Sequence, residues 1–350
     1  MTNRSKVPGV RWLAARRALG TVILGVGCLL SGDAAGQATV SPTASVDGLE
    51  AKFVDVQGVR TRYYDYGQGE PIVLVHGGGM GGASTANNFS RNIPGLAKRF
   101  RVIAVDRLAQ GMTGNPKDDA DFTTRGAVQH LYQFILTLKL DRVHLVGHSS
   151  GGGVVFALAV EHPELVRTLT LAAYGAGLPT GDGPRMFDAI LAKCPPDPTS
   201  YEHRKCRLLA LGHVEETFPD DYAAADEYMG TLPKSVETRR RMDKRRAARA
   251  GWPNEENDAY RQQALEKARG GALQMPILLV AGKQDTLGWD ADDPHSMQRR
   301  QMALFDIVGT KNPRVKLIIV NEAGHFPYRE HPEEFNASLT HFIDFWNSRR

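Results

Sequence analysis

Six short runs of nearly uninterrupted apolar residues recur along this chain: 71–75 (PIVLV), 101–105 (RVIAV), 142–146 (RVHLV), 168–172 (TLTLA), 277–280 (ILLV) and 315–320 (VKLIIV). Runs of this length read as strands, and a strand with no polar face must be covered on both sides. Helical patterns lie between several of them. Gly126–Leu138 carries Val128, Leu131, Phe134, Ile135 and Leu138 at helical spacing. Residues 332–347 open with Pro and two Glu, a favourable helix start, and then place Phe335, Leu339, Phe342, Ile343 and Trp346 on one face. Strand alternating with helix specifies an α/β fold with a mostly parallel sheet and helices on both faces. Two more strand-like runs, Lys52–Val56 and Arg60–Tyr66, joined by Gln57-Gly58, read as an antiparallel start and bring the expected sheet to eight strands.

The alternation breaks between Gly175 and Ala272. That stretch is rich in Arg, Asp, Ala and Glu, has Pro-marked turns, and is too long for a loop in a compact domain. It reads as an inserted helical cap, residues 175–272, dividing a core of residues 51–174 and 273–350. Residues 39–50 read as a polar linker.

The first 38 residues read as an export signal. Basic residues end at Arg16-Arg17, followed by the uncharged, largely apolar stretch 18–30 and then small residues, with a plausible cut after Ala38. Thirteen helical residues span about 20 Å, short of a bilayer core of about 30 Å. The expected location is therefore periplasmic or secreted, with no stable membrane span after processing; a retained N-terminal anchor is the alternative. The Arg pair partially matches a twin-arginine signal, and Cys28 is a candidate for lipid modification. This segment also holds the charge imbalance: 43 basic groups less its five, against 39 acidic groups less its one, leave a body of zero net charge. A neutral body gives no electrostatic case for nucleic acid as a partner. Outside the signal the cysteines are Cys194 and Cys206, candidates for one disulfide in an oxidising compartment or for two buried thiols. Neither lies in a metal-ligand spacing, so no metal is expected.

The chemistry concentrates at Gly147-His148-Ser149-Ser150-Gly151. This G-x-S-x-G follows the run RVHLV and precedes the apolar pattern GGVVFALAVEH. Strand–turn–helix is the context in which the motif presents a serine at a strand end, with helix N–H groups aimed at developing negative charge. A serine hydroxyl needs a base. His325, in Gly324-His325-Phe326-Pro327 just after the last strand, reaches the same edge of a parallel sheet as Ser149. The orienting acid is expected between them in chain order. Asp285, directly after ILLV in Gly282-Lys283-Gln284-Asp285, takes that place over Asp290, Asp292 and Asp293. The oxyanion donors are expected to be the Ser150 N–H and, from His76-Gly77-Gly78-Gly79, the Gly78 N–H. No Lys-Ser/Thr follows that loop, which excludes a nucleotide P-loop. A basic run in the cap (Arg239–Arg241, Lys244–Arg246, Arg249) is either a solvated face or the source of an Arg reaching a substrate carboxylate. Phe187, Tyr222, Tyr228 and Trp252 are cap aromatics that either line a pocket or pack in the core.

From about Val54 to Trp346 the chain resembles an α/β-hydrolase, with the HGGG loop, GHSSGG, GKQD and GHFPYREHPEEF all in family order. Within that superfamily, VHGGGMGG, NNFSRNI and the cap are similar to the meta-cleavage-product hydrolases, which cleave carbon–carbon bonds. That resemblance implies substrate contacts from Gly79, Asn88, His148 and Phe326. It also exposes two departures: the residue before the nucleophile, commonly Asn in that family, is His148, and the residue after the catalytic His, commonly Trp, is Phe326. A Ser rather than an Asp at 149 implies an acyl-enzyme route. These departures and the expected export favour an esterase or lactonase acting on a small-molecule ester or lactone, without cofactor, as a monomer or homodimer. Carbon–carbon hydrolysis is the alternative, and a non-catalytic ligand-binding hydrolase fold the second.

Overall fold

A computed structural model describes residues 40–349 other than 83, 176–185, 198–199, 249–253, 289–292 and 294–295. The expected signal at 1–38 lies outside the described residues.

Eight strands form one sheet: β1 (Lys52–Val56), β2 (Val59–Tyr66), β3 (Pro71–Val75), β4 (Arg101–Val105), β5 (Val143–His148), β6 (Val166–Ala172), β7 (Ile277–Gly282) and β8 (Val315–Val320). Their order is β1-β2-β4-β3-β5-β6-β7-β8. β1 pairs antiparallel with β2 and β2 antiparallel with β4; from β4 to β8 every neighbouring pair is parallel. The β1–β2 hairpin closes through Gln57 and Gly58, both with positive φ, as a two-residue primed turn requires.

Eleven helices accompany the sheet among the described residues. They are α1 (Ile93–Leu96), α2 (Thr124–Thr137), α3 (Ser150–Glu161), α4 (Met186–Leu191), α5 (Tyr201–Leu211), α6 (Asp220–Thr231), α7 (Pro233–Ala248), α8 (Asn254–Arg269), α9 (Ser296–Gly309), α10 (Pro327–Glu330) and α11 (Pro332–Asn347). The strands alternate between two cores. Val73, Val75, Ile103, Leu145, Leu169, Ile277 and Leu279 point into one, packed by α2, α3, α8 and α9. Ile72, Leu74, Val102, Ala104, Val146, Leu278 and Val280 point into the other, with α1, α11 and the helices before α7. Side-chain alternation along a strand divides each apolar run between the layers, which is why none carries a polar face.

The inserted segment has two parts. No described residue between β6 and β7 is in a strand. α4 to α7 lie between β6 and α8, whereas α8 returns to the helix layer that covers one face of the sheet. Its Tyr260, Ala264, Leu265 and Ala268 join the core formed with α2 and α3. The insertion read from sequence as ending at 272 thus includes a helix that packs against the core helices α2, α3 and α9. Cys194 and Cys206, which follow α4 and sit in α5, are disulfide-bonded with Cα atoms 5.7 Å apart.

Candidate active site

The chain runs outward from the middle of the sheet in both directions. β3 has β4 on one side and β5 on the other, so their connections diverge and leave a crevice at their carboxyl ends. Ser149, between β5 and α3, opens onto that crevice. Its backbone has φ 51° and ψ −126°, a conformation that disfavours any side chain and costs on the order of 1–3 kcal/mol. Close packing maintains it. A Cβ at Gly151 would stand 2.2 Å from the His76 carbonyl oxygen, so only glycine lets α3 start directly against the end of β3.

His325 and Asp285 come from loops after β8 and β7. The His325 Nδ1–H donates to Asp285 Oδ2 at 2.8 Å, with both side chains 7% exposed. Asp285 Oδ1 accepts from the Leu287 N–H at 3.0 Å. The hydrogen-bond network thus assigns the proton to Nδ1 and leaves Nε2 as the basic nitrogen. Ser149 Oγ makes no hydrogen bond to a described residue in this conformation. The rings of its neighbour His148 and of His325 stand 4.8 Å apart between centroids. Of the rival acids, Asp290 and Asp292 lie outside the described residues, and Asp293 pairs with Arg299.

His148 and Phe326 are buried, 1% and 5% exposed. The His148 Nε2–H donates to the His325 carbonyl at 2.8 Å, and its ring lies against Phe326 and Tyr328. Burial, with His325 beside it, pushes its pKa well below the ordinary value, so it is neutral. Phe326 packs edge-on against Phe218 before α6. Both support the His325 loop. Asn88 is also buried: it accepts from the Tyr222 hydroxyl of α6 and donates from Nδ2 to Ser84 Oγ at 3.1 Å. Gly79 borders open space.

Gly78 has φ +78°, and a Cβ there would meet Ser84 Cβ at 2.6 Å, so the turn needs glycine twice over. The Gly78 and Ser150 N–H groups donate to no described residue; Ser150 follows Ser149 directly, and its hydroxyl donates to the Gly78 carbonyl at 2.6 Å. His76 beneath them accepts from the Arg107 N–H at Nε2 (3.0 Å) and donates from Nδ1 to the Gly77 carbonyl (2.9 Å). Desolvation, then the Arg107 charge, lowers its pKa to about 3 and leaves it a neutral brace.

Three residues that shape this site were not singled out from sequence. Arg107, two residues past β4, is buried and places Nη1 among the carbonyl oxygens of His76, Gly77 and Gly78 and the Ser150 hydroxyl. Glu330, in the quoted motif GHFPYREHPEEF, accepts from the N–H groups of Gly324, Phe326, His213 and Val214 at 2.8–3.1 Å. Arg329 is fully buried, donates to the carbonyls of Thr217, Asn87 and Asn88, and lies over the Tyr222 ring. A charged residue just past a strand end was the only signal for Arg107; nothing local distinguished the other two.

The cap's basic run clamps α7 to the loop before α2. Arg241 pairs with Asp119 and donates to Pro116 and Lys117 carbonyls, and Arg245 reaches Glu256 and the Asp119 and Ala120 carbonyls. Arg240 pairs with Glu237 on its own helix. Arg249 and Trp252 lie outside the described residues. Phe187 and Tyr222 are buried, whereas Tyr228 is exposed. Among the described residues no cluster of three His, Cys, Asp or Glu side chains could hold a metal ion, and no helix is long and apolar enough to cross a membrane.

A serine on a strained elbow after β5, with a carboxylate-bound imidazole on the loop after β8, is the arrangement of a hydrolase of the α/β class. The chain belongs to the alpha/beta hydrolase fold family, whose model matches residues 70–332. It is 30% identical over 292 residues to the 2-hydroxy-6-oxo-6-(2'-aminophenyl)hexa-2,4-dienoic acid hydrolase of Metapseudomonas resinovorans, covering 83% of this chain and 89% of that one. It is 29% identical over 288 residues to the 2-hydroxymuconate semialdehyde hydrolase of Pseudomonas sp. (strain CF600), covering 82% and 91%. A solved serine hydrolase involved in carbazole degradation superposes with TM-score 0.63 at 25% identity, covering 85% of this chain and 99% of that one.

These relatives overturn the expectation of an ester or lactone hydrolase, since they are named as hydrolases of a 2-hydroxy-6-oxodienoic acid and of 2-hydroxymuconate semialdehyde. The expectation leaned on His148 and Phe326 as departures from the pattern. Both are packed into the support of the His325 loop, so their identity says little about the bond cleaved.

Proposed function

We propose that this chain is a carbon–carbon hydrolase of the meta-cleavage-product type, acting on a 2-hydroxy-6-oxodienoate. The observation that carries the proposal is the near full-length similarity to hydrolases named for such substrates. The geometry of the Ser149 elbow and the His325–Asp285 pair supports it.

In this reading His325 Nε2 takes the Ser149 proton as Oγ adds to the C6 ketone. Asp285 steadies the imidazolium that forms. The oxyanion is received by the Gly78 and Ser150 N–H groups, each worth about 3 kcal/mol of barrier. The substrate reacts as its 2-keto tautomer, in which C5 has already taken the 2-hydroxyl proton. Collapse then breaks the C5–C6 bond, and the electron pair passes through C4 and C3 to the C2 oxygen, which takes the proton from the His325 imidazolium. Water, deprotonated by His325, then releases the acyl group from Ser149 as a carboxylic acid. One water is consumed, giving one acid and one 2-hydroxydienoate. We further propose that residues 1–38 direct export; fractionation of expressing cells, with intact mass of the product, tests this through loss of the segment.

The test is a panel of 2-hydroxy-6-oxohexa-2,4-dienoates with alkyl or aryl groups at C6, followed by loss of the dienolate absorbance. Ser149→Ala is run beside the wild type and is expected to retain only the residual rate of binding. A purified, folded protein that turns over none of the panel would refute the substrate class.

A further inference from the structure

We propose that Arg107 is a positioning residue for the oxyanion hole: a buried cation behind the loop that aligns both donors and polarises the Gly78 N–H. The inference rests on the reading of Ser149 as nucleophile and of the Gly78 and Ser150 N–H groups as oxyanion donors.

Arg107 Nη1 lies 3.2, 3.3 and 3.1 Å from the carbonyl oxygens of His76, Gly77 and Gly78, and 2.9 Å from Ser150 Oγ. The Gly77 carbonyl belongs to the same peptide as the Gly78 N–H. A cation at that oxygen, together with the His76 Nδ1–H at 2.9 Å, draws charge along the peptide and makes the N–H a stronger donor. The Gly78 carbonyl is gripped from three directions, by Arg107, by Gln110 Nε2 at 3.2 Å and by the Ser150 hydroxyl at 2.6 Å. Ser150 is therefore joined to the loop through its side chain while its N–H stays free. One guanidinium sets the relation between the two halves of the hole.

Among the described residues no carboxylate lies within ion-pair distance of this charge, and the preceding Asp106 is committed to Arg62 and to the N–H groups of Ala86 and Met112. Burial lowers the Arg107 pKa to about 10, so it remains cationic at neutral pH. A buried, uncompensated cation is unfavourable while the site is neutral and becomes favourable as an oxyanion develops. This is the differential stabilisation that accelerates a reaction.

The test uses the full chain and readouts that need only the nucleophile and the hole: the rate of Ser149 labelling by a fluorophosphonate, and affinity for phenylboronic acid, which forms a tetrahedral, anionic adduct on the serine. Arg107→Met is expected to slow labelling and weaken boronate binding by a common factor of about 30–100, somewhat below the loss of a direct donor. KM for a dienoate substrate should stay within about threefold. Arg107→Lys should recover part of both losses because it retains the charge. Gln110→Met, which removes a neutral donor from the same carbonyl, should change either by less than about threefold. Unchanged labelling and boronate affinity in Arg107→Met overturn the proposal, as does an equal loss in Gln110→Met. If Arg107→Met does not fold, Arg107→Gln, which keeps hydrogen-bond donors without the charge, is compared with Arg107→Lys, and a Gln variant that matches the Lys variant in labelling and boronate affinity overturns the proposal. A wild type that the fluorophosphonate does not label overturns the nucleophile reading and this inference together. A wild type that is labelled yet inert on every dienoate overturns only the substrate assignment.

Discussion

Substitution of Glu330 tests how the base is held in place. Its carboxylate, 7% exposed, has no cationic partner within ion-pair distance among the described residues. It accepts instead from four backbone N–H groups: Gly324 and Phe326 on either side of His325, and His213 and Val214 after α5. The His325 N–H is tied to the same stretch, donating to the Leu211 carbonyl at 2.8 Å. Hydrogen bonds to a charged acceptor contribute about 1.5–3 kcal/mol each, and a buried donor left without a partner costs about 1–3 kcal/mol. Glu330→Gln has one acceptor oxygen and turns an amide N–H₂ toward the other donors. It should therefore lose about 2–4 kcal/mol of stability, and Glu330→Ala about 4–5 kcal/mol, near the upper end for a single substitution. The assay is guanidinium denaturation followed by fluorescence, with kcat measured well below the transition. The Gln variant should also lose kcat by about tenfold or more with KM little changed, because the loop carrying the base is loosened. A Gln variant within about 0.5 kcal/mol of wild type and equal to it in kcat would refute this account.

Other outcomes follow from the same structure. Asp285→Asn should preserve the fold but lower kcat by about 10³–10⁴, since an amide no longer selects the Nδ1–H tautomer or stabilises imidazolium; a loss under tenfold in steady-state assays would assign that role elsewhere. Reduction of the Cys194–Cys206 disulfide, or Cys206→Ser, releases a short cross-linked loop and should destabilise by roughly 3 kcal/mol. Thermal unfolding with and without reductant checks this, and coincident curves would contradict it. Burial lowers the pKa of His76 to about 3 and of His130 to about 4, below the unfolded value near 6.5. Below pH 6.5 the unfolded chain therefore binds protons that the folded one refuses. Stability present above that pH is lost as it falls, by about 2 kcal/mol per histidine at pH 5. Denaturation at pH 7.5 and pH 5 measures the loss, and His130→Gln should remove one increment of it.

The sheet and the order of the site residues were open to sequence reasoning because each is written locally. All eight strands lie within two residues of the apolar runs that announce them, and α2 and α11 bury the faces their spacing marks. Ser149, Asp285 and His325 stand where strand ends meet small-residue turns, a signal readable within a few positions. The bond to be cleaved was not open in the same way. His148 and Phe326 stood out as departures from a pattern, yet both pack into the support of the loop that carries His325.

Sequence by itself determined the class of fold, the elements and the three loops that carry the reacting groups, because periodicity and turn chemistry act over a few residues. Only the tertiary structure decided what stands behind those loops. Arg107 meets Ser150 across 43 positions, and Glu330 meets His213 across 117. Such pairings arise from how helices and loops pack onto the finished sheet: a buried charge must find carbonyls or N–H groups wherever the fold brings them, and no local pattern records which ones those will be.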